Sequence, residues 1–361
     1  MDNASISVGF ALLYLWTEFD FVFCKPQDER LVRCAEQRST VFKSVNIELD
    51  QSVAENRTNA CRVIALLSET QQRSLSKVRV KFIGENPYFY GGQEFLTALS
   101  GLFGSGGAGQ LTVVDLSGMR VSINDELLDV LSANERRVER MYVENGVLVS
   151  RVTPACLLRV VRSCRRLTDL RVFGSSVSDD VLLAFTSSDR APLRRLSMLC
   201  RREQKYGGDI SGETWATLRD KLPDLRVTLK FDHTCPPDTV AAILKPEVPV
   251  SALRIETFTY IQEEVRRAAN HYDDTLEVLV LLTPIERGTS ALNDALLQLS
   301  SRCRQLRALH VFCVLDTSTI ATILASHPVM EHNKTYTLRS ERGQQPWTPG
   351  DMRSFGDAQL L

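Results

Sequence analysis

The sequence predicts an α/β solenoid of the leucine-rich-repeat kind, in which right-handed strand–helix units stack side by side. Three observations predict it. A six-residue pattern with apolar first, fourth and sixth positions recurs, as in Leu167, Leu170 and Val172. Amphipathic stretches of helical periodicity follow copies of the pattern. The residues between the apolar positions are often charged, so one side of each strand faces water.

The spacing of the copies sets the size of the repeat. Clean copies start at Leu167, Leu193, Leu222 and Leu306, and looser copies start at Phe42, Leu75, Leu111, Val138, Val250 and Leu276. From Leu111 onward the steps between first positions are 27, 29, 26, 29, 28, 26 and 30 residues. This period is typical of leucine-rich repeats, and it predicts about ten units.

Each unit is predicted to be one short strand followed by one helix. The fourth and sixth positions lie on the same face of a strand, because side chains alternate along it. Helical stretches follow at 124–137, 153–166, 178–189 and 290–305. One such unit cannot bury its own apolar face, so stacked neighbours must share a continuous core. The strands then line an inner side and the helices lie on the outer side.

A doubly wound α/β domain is the alternative interpretation, since it also alternates strands and helices. Its strands are covered on both faces and usually read as continuous apolar runs. Charged spacers such as Arg79, Lys81 and Arg171 favour the solenoid instead.

The domain organisation predicted from the repeat has three parts. Residues 1–40 form an irregular N-terminal segment, residues 41–339 the repeat domain and residues 340–361 a C-terminal tail. Apolar residues before residue 24 are expected to cover the end of the stack near 42–49. Residues 333–339 read as a final edge strand, with Tyr336 and Leu338 facing the core. In the tail, Trp347 either shields the last repeat or takes part in partner recognition.

Composition excludes several classes of function. A net charge of −1 and a pI near 6.6 give no basis for nucleic-acid binding. Nine cysteines without a C-x-x-C pair fit a reducing compartment, the cytoplasm or the nucleus. The apolar stretch 6–16 is too short to span a membrane and lacks the basic start of a signal peptide.

The sequence predicts neither a catalytic site nor a cofactor or metal site. A G-x-G-x-x-G match at 104–109 follows a helix and precedes a strand, the reverse of the dinucleotide-binding order. Cys303, His310 and Cys313 are the nearest approach to a metal-ligand set, but residues 310 and 313 fall on opposite faces of one strand. The prediction is a non-enzymatic protein.

Partner binding is predicted on the inner side, where arginine and aromatic side chains are typical of binding hot spots. The candidate residues are Arg79, Lys81, Tyr142, Glu144, Arg171, Phe173, Arg226, Arg254, Glu256, His310 and Phe312, with Trp347 as a candidate in the tail.

Two repeats carry a cysteine three residues before the first leucine. Cys164 and Cys303 take this position, and Cys313 follows the strand of the second repeat. These repeats resemble those of the F-box and leucine-rich-repeat protein family. Similarity extends over roughly residues 42–349, and stretches outside the repeat consensus carry it, at 187–192, 244–254, 268–272, 336–339 and 346–349.

The resemblance implies the substrate-recognition subunit of a Skp1–cullin–F-box ubiquitin ligase. In that family an F-box before the repeats binds Skp1, the repeats bind target proteins, and other subunits transfer ubiquitin. This chain departs from the family because no Leu-Pro start of an F-box precedes Phe42. Two alternatives stay open for residues 1–40: a diverged F-box, with 31–42 as its end, or a variant of the protein that lacks its start. The alternative function is a repeat scaffold with no link to Skp1.

Overall fold

The computed structural model describes residues 17–24, 29–70, 74–87, 90–105, 110–206, 208–257, 259–283 and 285–340. They fall into two compact units. The first contains residues up to 172 together with 187–193, and the second contains 173–186 and the residues from 194 onward. Within each unit, parallel strands pair in chain order and alternate with helices, which is the α/β leucine-rich-repeat fold that the sequence predicts.

The first unit contains six strands and five α-helices among its described residues. The strands are β1 (Glu18–Phe23), β2 (Ser44–Asp50), β3 (Lys77–Ile83), β4 (Val113–Gly118), β5 (Arg140–Tyr142) and β6 (Asp169–Phe173). The helices are α1 (Glu29–Arg38), α2 (Ala54–Glu69), α3 (Gln93–Gly104), α4 (Asp125–Asn134) and α5 (Pro154–Ser163).

The strand register confirms the repeat pattern in the first unit. The fourth-position residues Val45, Val78, Val114, Met141 and Leu170 pair with one another across five successive strands. All are at most 1% exposed. Residues that repeat along the sequence therefore form one continuous buried row, which is how a single repeat acquires a core.

Helix starts are fixed by side chains at the expected places. Asn124 and Thr153 are the N-caps of α4 and α5, and their side chains accept hydrogen bonds from Leu127 N and Cys156 N. Asp125 then accepts from Thr153 N at 2.8 Å and from Thr153 Oγ1 at 2.7 Å, which ties the starts of neighbouring helices together.

The second unit repeats the same plan. Its strands are β7 (Arg195–Cys200), β8 (Arg226–Phe231), β9 (Val250–Glu256), β10 (Val278–Leu282), β11 (Ala308–Val314) and β12 (Tyr336–Arg339). Its helices are α6 (Asp179–Leu183), α7 (Gly212–Lys221), α8 (Pro237–Ile243), α9 (Gln262–His271), α10 (Ser290–Arg302), α11 (Thr317–Ser326) and α12 (Pro328–Asn333), with short 3₁₀ helices at Gly174–Ser176, Ala184–Thr186 and Arg202–Tyr206.

A buried row also runs through the second unit. Met198, Leu229, Leu253, Leu279 and Leu309 pair across β7 to β11 and are at most 2% exposed. The sequence predicted four of the five as fourth- or sixth-position residues of their repeats, whereas Leu229 lies two residues beyond the pattern that ends at Val227. The strand pairing therefore shows that these five residues face the core, and that their neighbours along each strand face the inner side.

The N-terminal segment differs from the sequence prediction. Residues 18–23 and 29–38 are not irregular: they form β1 and α1, and β1 pairs in parallel with β2. Phe19 and Phe21 lie opposite Val45 and Ile47, so they occupy repeat positions. The repeats therefore begin before residue 41. Residues 10–16, which were predicted to cover the end of the stack, lie outside the described part of the chain.

The C-terminal strand is shorter than predicted. Helix α12 runs through Asn333, and Lys334 turns the chain with φ = 54° before β12 starts at Tyr336. Tyr336 pairs with Leu309 of the buried row and so lies on the core face as predicted, but Tyr336 and Leu338 are only partly buried. The tail and Trp347 lie outside the described residues.

Candidate functional site

The candidate surface is the inner side, defined as the sheet face opposite the helices in each unit. Among the residues predicted there, Arg79, Lys81 and Arg226 are exposed, and Arg171, Arg254 and Glu256 are partly exposed. Tyr142, Glu144, Phe173, His310 and Phe312 are buried. The six accessible side chains are all charged, so this surface would meet a partner mainly through ionic and hydrogen-bonding contacts.

Ion pairs between adjacent strands order the inner side of the first unit. Lys81 Nζ lies 2.8 Å from Glu48 Oε2, and Arg79 Nε donates to Asp115 Oδ2 at 2.7 Å. Asp115 is buried although its partner is exposed. The buried Asp115 carboxylate thus holds the exposed Arg79 guanidinium in place, and this restricts the rotamers of Arg79 before any partner binds.

A second cluster links β5 and β6. Tyr142 Oη donates to Asp169 Oδ2 at 3.1 Å, and the Arg171 guanidinium lies 4.2 Å from the centre of the Tyr142 ring. Burial and the Asp169 carboxylate raise the pKa of the Tyr142 hydroxyl. Arg171 is therefore the accessible member of this cluster, and Tyr142 supports it from beneath.

In the second unit, one carboxylate joins two cations. Glu277 accepts from Arg307 Nε at 2.9 Å and lies 3.5 Å from Arg226 Nε. On β9, Arg254 lies 3.9 Å from Glu256, which also contacts His233 at 3.3 Å. Because each pair includes at least one exposed side chain, each adds little stability.

The prediction that Phe312 is accessible is wrong. Its ring is 2% exposed and belongs to an apolar cluster on the inner side of β9, β10 and β11. The cluster comprises Ala252, Val278, Val280, Leu282, Ala308 and Phe312. Strand β10 is apolar at every position and buried along both faces, as strands covered on both sides are.

The other buried candidates also face protein rather than solvent. The Glu144 amide N–H donates to the Arg171 carbonyl, so the chain that follows β5 stays hydrogen-bonded to β6. Phe173 lies beneath the guanidinium of Arg201, 5.7 Å from its ring centre. His310 lies 2.8 Å, Nδ1 to Oγ1, from Thr337 on β12. Each of the three supports the sheet instead of presenting a contact surface.

Sequence reasoning missed the carboxylates Glu48, Asp115, Asp169 and Glu277. Their signal is positional: Glu48 pairs in register with Lys81, and Asp115 pairs in register with Arg79. Aligning the repeats by their apolar positions would have placed each acid beside its base.

The buried cysteine thiols of the repeats are not ionised near neutral pH. All nine cysteines lie in the described part of the chain as reduced thiols, and Cys164 and Cys303 end helices α5 and α10 as fully buried residues. Burial raises the pKa of both thiols to about 12, so neither is a thiolate near neutral pH. Within the described residues, no three or more His, Cys, Asp or Glu are grouped to hold a metal.

The comparison with known proteins identifies the family. Over 307 residues the chain is 31% identical to human F-box/LRR-repeat protein 8, covering 85% of the chain and 80% of that protein. The chain belongs to the F-box/LRR-repeat family. The mouse F-box/LRR-repeat protein 8 is 30% identical with the same coverage, and the bovine protein is 31% identical over 267 residues.

The family resemblance predicted from the cysteine-containing repeats is confirmed. No protein-family model matches the chain. Among solved structures, the leucine-rich repeat-containing protein LegL7 from Legionella pneumophila is similar, with a TM-score of 0.41, 13% identity and coverage of 90% of this chain and 92% of LegL7.

This F-box/LRR-repeat protein is a protein-interaction module by family and fold. The search of the described helices found none with the length and apolar character that a membrane crossing requires.

Proposed function

We propose that this F-box/LRR-repeat protein is the substrate-recognition subunit of a Skp1–cullin–F-box ubiquitin ligase and holds target proteins for ubiquitin-dependent degradation. The observation that carries the proposal is the family relationship over 85% of the chain. The inner side supports it, because its accessible charged residues suit reversible protein contacts. The chain would act as a non-catalytic adaptor. Its nine reduced cysteines suit the cytoplasm or the nucleus.

The decisive experiment is co-expression of the full chain with Skp1, followed by size-exclusion chromatography. We expect the two proteins to co-elute. Failure of the full chain to bind Skp1 would contradict the ligase role.

A protein-binding scaffold without a ligase link is the second candidate. It is favoured by β1 and α1, because β1 pairs with β2 as the strands of the repeats do, so residues 18–23 and 29–38 belong to a repeat and not to an F-box. The Skp1 experiment separates the two candidates, since a scaffold would still bind targets while failing to co-elute with Skp1.

Target binding should depend on the inner side. Arg226→Glu reverses a charge on a side chain that is half exposed and has an ion-pair partner at 3.5 Å. We expect it to weaken capture of co-purifying proteins about tenfold, because like charges placed opposite each other at an interface cost binding energy. The measurement is quantitative mass spectrometry of proteins bound to wild type and variant.

Arg62→Glu is the matched control. Arg62 lies on helix α2, is also half exposed and has its partner Glu36 at 3.8 Å. We expect this variant to bind the same proteins as wild type. Equal loss in both variants would show a general effect of charge, and no loss in the Arg226 variant would remove that residue from the binding surface.

A further inference from the structure

A loop of the first unit, residues 145–151, presents apolar side chains to solvent. Leu148 is 77% exposed and Val149 is 57% exposed, and Val147 beside them is partly exposed. Consecutive exposed apolar residues favour aggregation, so such a run indicates a site of contact with another molecule.

The loop is fixed at both ends. The buried Asn145 donates from Nδ2 to the Val121 carbonyl at 2.8 Å, and its Oδ1 accepts from Val147 N at 3.2 Å. At the other end, Arg151 pairs in parallel with Asn124. Because both ends are bonded to the turn that follows β4, the loop presents its apolar tip in an ordered form, which lowers the entropy lost on binding.

A surface groove of about 810 Å³ lies beside the tip. Val147, Leu148 and Val149 line one part of the groove, and Tyr90 lines another. The guanidinium of Arg57 lies 4.6 Å from the centre of the Tyr90 ring, and this contact holds the ring in one orientation. Aliphatic and aromatic walls around a volume of this size suit a large apolar side chain together with the backbone on either side of it.

The charged residues that line the groove are both arginines. Arg120 and Arg151 are exposed, and neither guanidinium forms an ion pair or a hydrogen bond with another described residue. The carboxylates of Glu85 and of the first turn of α4 lie outside the lining. The two residues just before Tyr90, which lie outside the described part of the chain, are aromatic and carry no charge. The two arginines therefore favour a ligand that carries carboxylates.

The two cations flank the apolar tip. The stem of Arg120 packs against Gly146 at the start of the loop, where a Cβ atom would stand 3.6 Å from Arg120 Cγ, and Arg151 ends the loop. Each guanidinium can therefore pair with its own carboxylate, one on either side of an apolar side chain that contacts Leu148. A single phosphate group would engage only one end of the loop, and a basic segment would be repelled.

We infer that this groove is a docking site for an extended segment of a partner protein in which a large apolar residue lies between two acidic residues. The apolar side chain packs on Leu148, Val149 and the Tyr90 ring, and the two carboxylates pair with Arg120 and Arg151. The inference goes beyond the proposed function, because the site lies outside the inner side and requires neither Skp1 nor ubiquitin transfer.

Short peptides test the site without knowledge of the partner. The probe is the acetylated and amidated peptide Glu-Gly-Phe-Gly-Glu, and its binding to the full chain is measured by ligand-observed NMR titration at low salt. We expect it to bind about tenfold more tightly than Gln-Gly-Phe-Gly-Gln, which has the same shape but no charge. Replacing the phenylalanine by serine should weaken binding to a similar extent, because the apolar contact is lost. Equal affinity of the three peptides, or no binding of the acidic one, would overturn the inference.

Variants locate the peptide. Arg120→Gln and Arg151→Gln each remove one cation from an exposed position, and Leu148→Asp removes the exposed apolar side chain. We expect each to weaken binding of the acidic peptide about fivefold or more, and to stay folded by circular dichroism because exposed substitutions cost little stability. Arg137→Gln and Val329→Asp are the matched controls, since both residues are exposed but neither lines the groove; they should bind the peptide as wild type does. Unchanged binding by both groove arginine variants would place the peptide elsewhere and refute the site.

Two further measurements test the other occupants. A peptide with one phosphoserine in place of both acidic residues should bind less tightly than the acidic peptide, and tighter binding would overturn the carboxylate assignment. Sedimentation velocity of the chain alone should show no self-association through the loop, because a two-fold contact of this surface with itself would bring four arginines together. Self-association that Leu148→Asp abolishes would make a second copy the occupant and overturn the inference. None of these measurements uses Skp1, so failure of the docking site and failure of the ligase role are distinguishable.

Discussion

Leu170→Ala is expected to lower the free energy of unfolding by about 2–5 kcal/mol, the usual cost of truncating a fully buried leucine. Leu170 is 0% exposed and lies next to Met141 in the buried row of the first unit. A cavity there would remove contacts from its own repeat and from the neighbouring one. Urea unfolding followed by circular dichroism measures the change.

Arg171→Ala, one residue further along β6, is the matched control. Its side chain points to the inner side and stacks on the Tyr142 ring. Loss of that contact should cost about 0.5–1 kcal/mol, as for cation–π pairs near the surface. If both variants lost the same stability, the alternation of core and inner side along β6 would be refuted.

His310 should make the second unit less stable in acid. Burial lowers the pKa of His310 from 6.5 to about 4, so the folded chain keeps the imidazole neutral. Between pH 6.5 and 4 the unfolded chain binds a proton that the folded chain does not, and unfolding becomes easier as pH falls. The full loss is on the order of 3 kcal/mol, reached near pH 4.

The test is unfolding free energy measured as a function of pH for wild type and for His310→Gln. Glutamine can still bond to Thr337 but does not titrate, so the variant should lose less stability between pH 6.5 and 4 than wild type does. A variant curve parallel to that of wild type would show that His310 is not the titrating group.

Most of the fold was predictable because the apolar spacing records the strand register directly. Leu167, Leu170 and Val172 are all buried as their positions in the pattern require. The first repeat was not predicted because phenylalanines replace the usual leucine and valine. Trp16, Phe19 and Phe21 nevertheless have the spacing of the pattern, and this signal could have extended the repeats toward the N-terminus.

The candidate surface was less predictable. Alternation along a strand determines which face of the sheet a residue lies on, but not whether that face is exposed to solvent. Arg79 and Arg226 lie exposed where the charged spacers placed them. His310 and Phe312 face the same side but are buried in a stretch where β10 is wholly apolar. Burial there depends on neighbours about 30 residues away in the chain, which a single repeat does not reveal.

The chain-order pairing of strands has a consequence for biosynthesis. Within each unit a strand pairs only with the strand before and the strand after it in sequence. As the polypeptide leaves the ribosome, each new repeat therefore meets a partner that is already present, and no segment has to wait for a distant one. This order of assembly leaves the last strand formed with an unpaired edge at every stage. That edge can form non-native pairings with other chains until the next repeat, of about 28 residues, emerges and pairs with it.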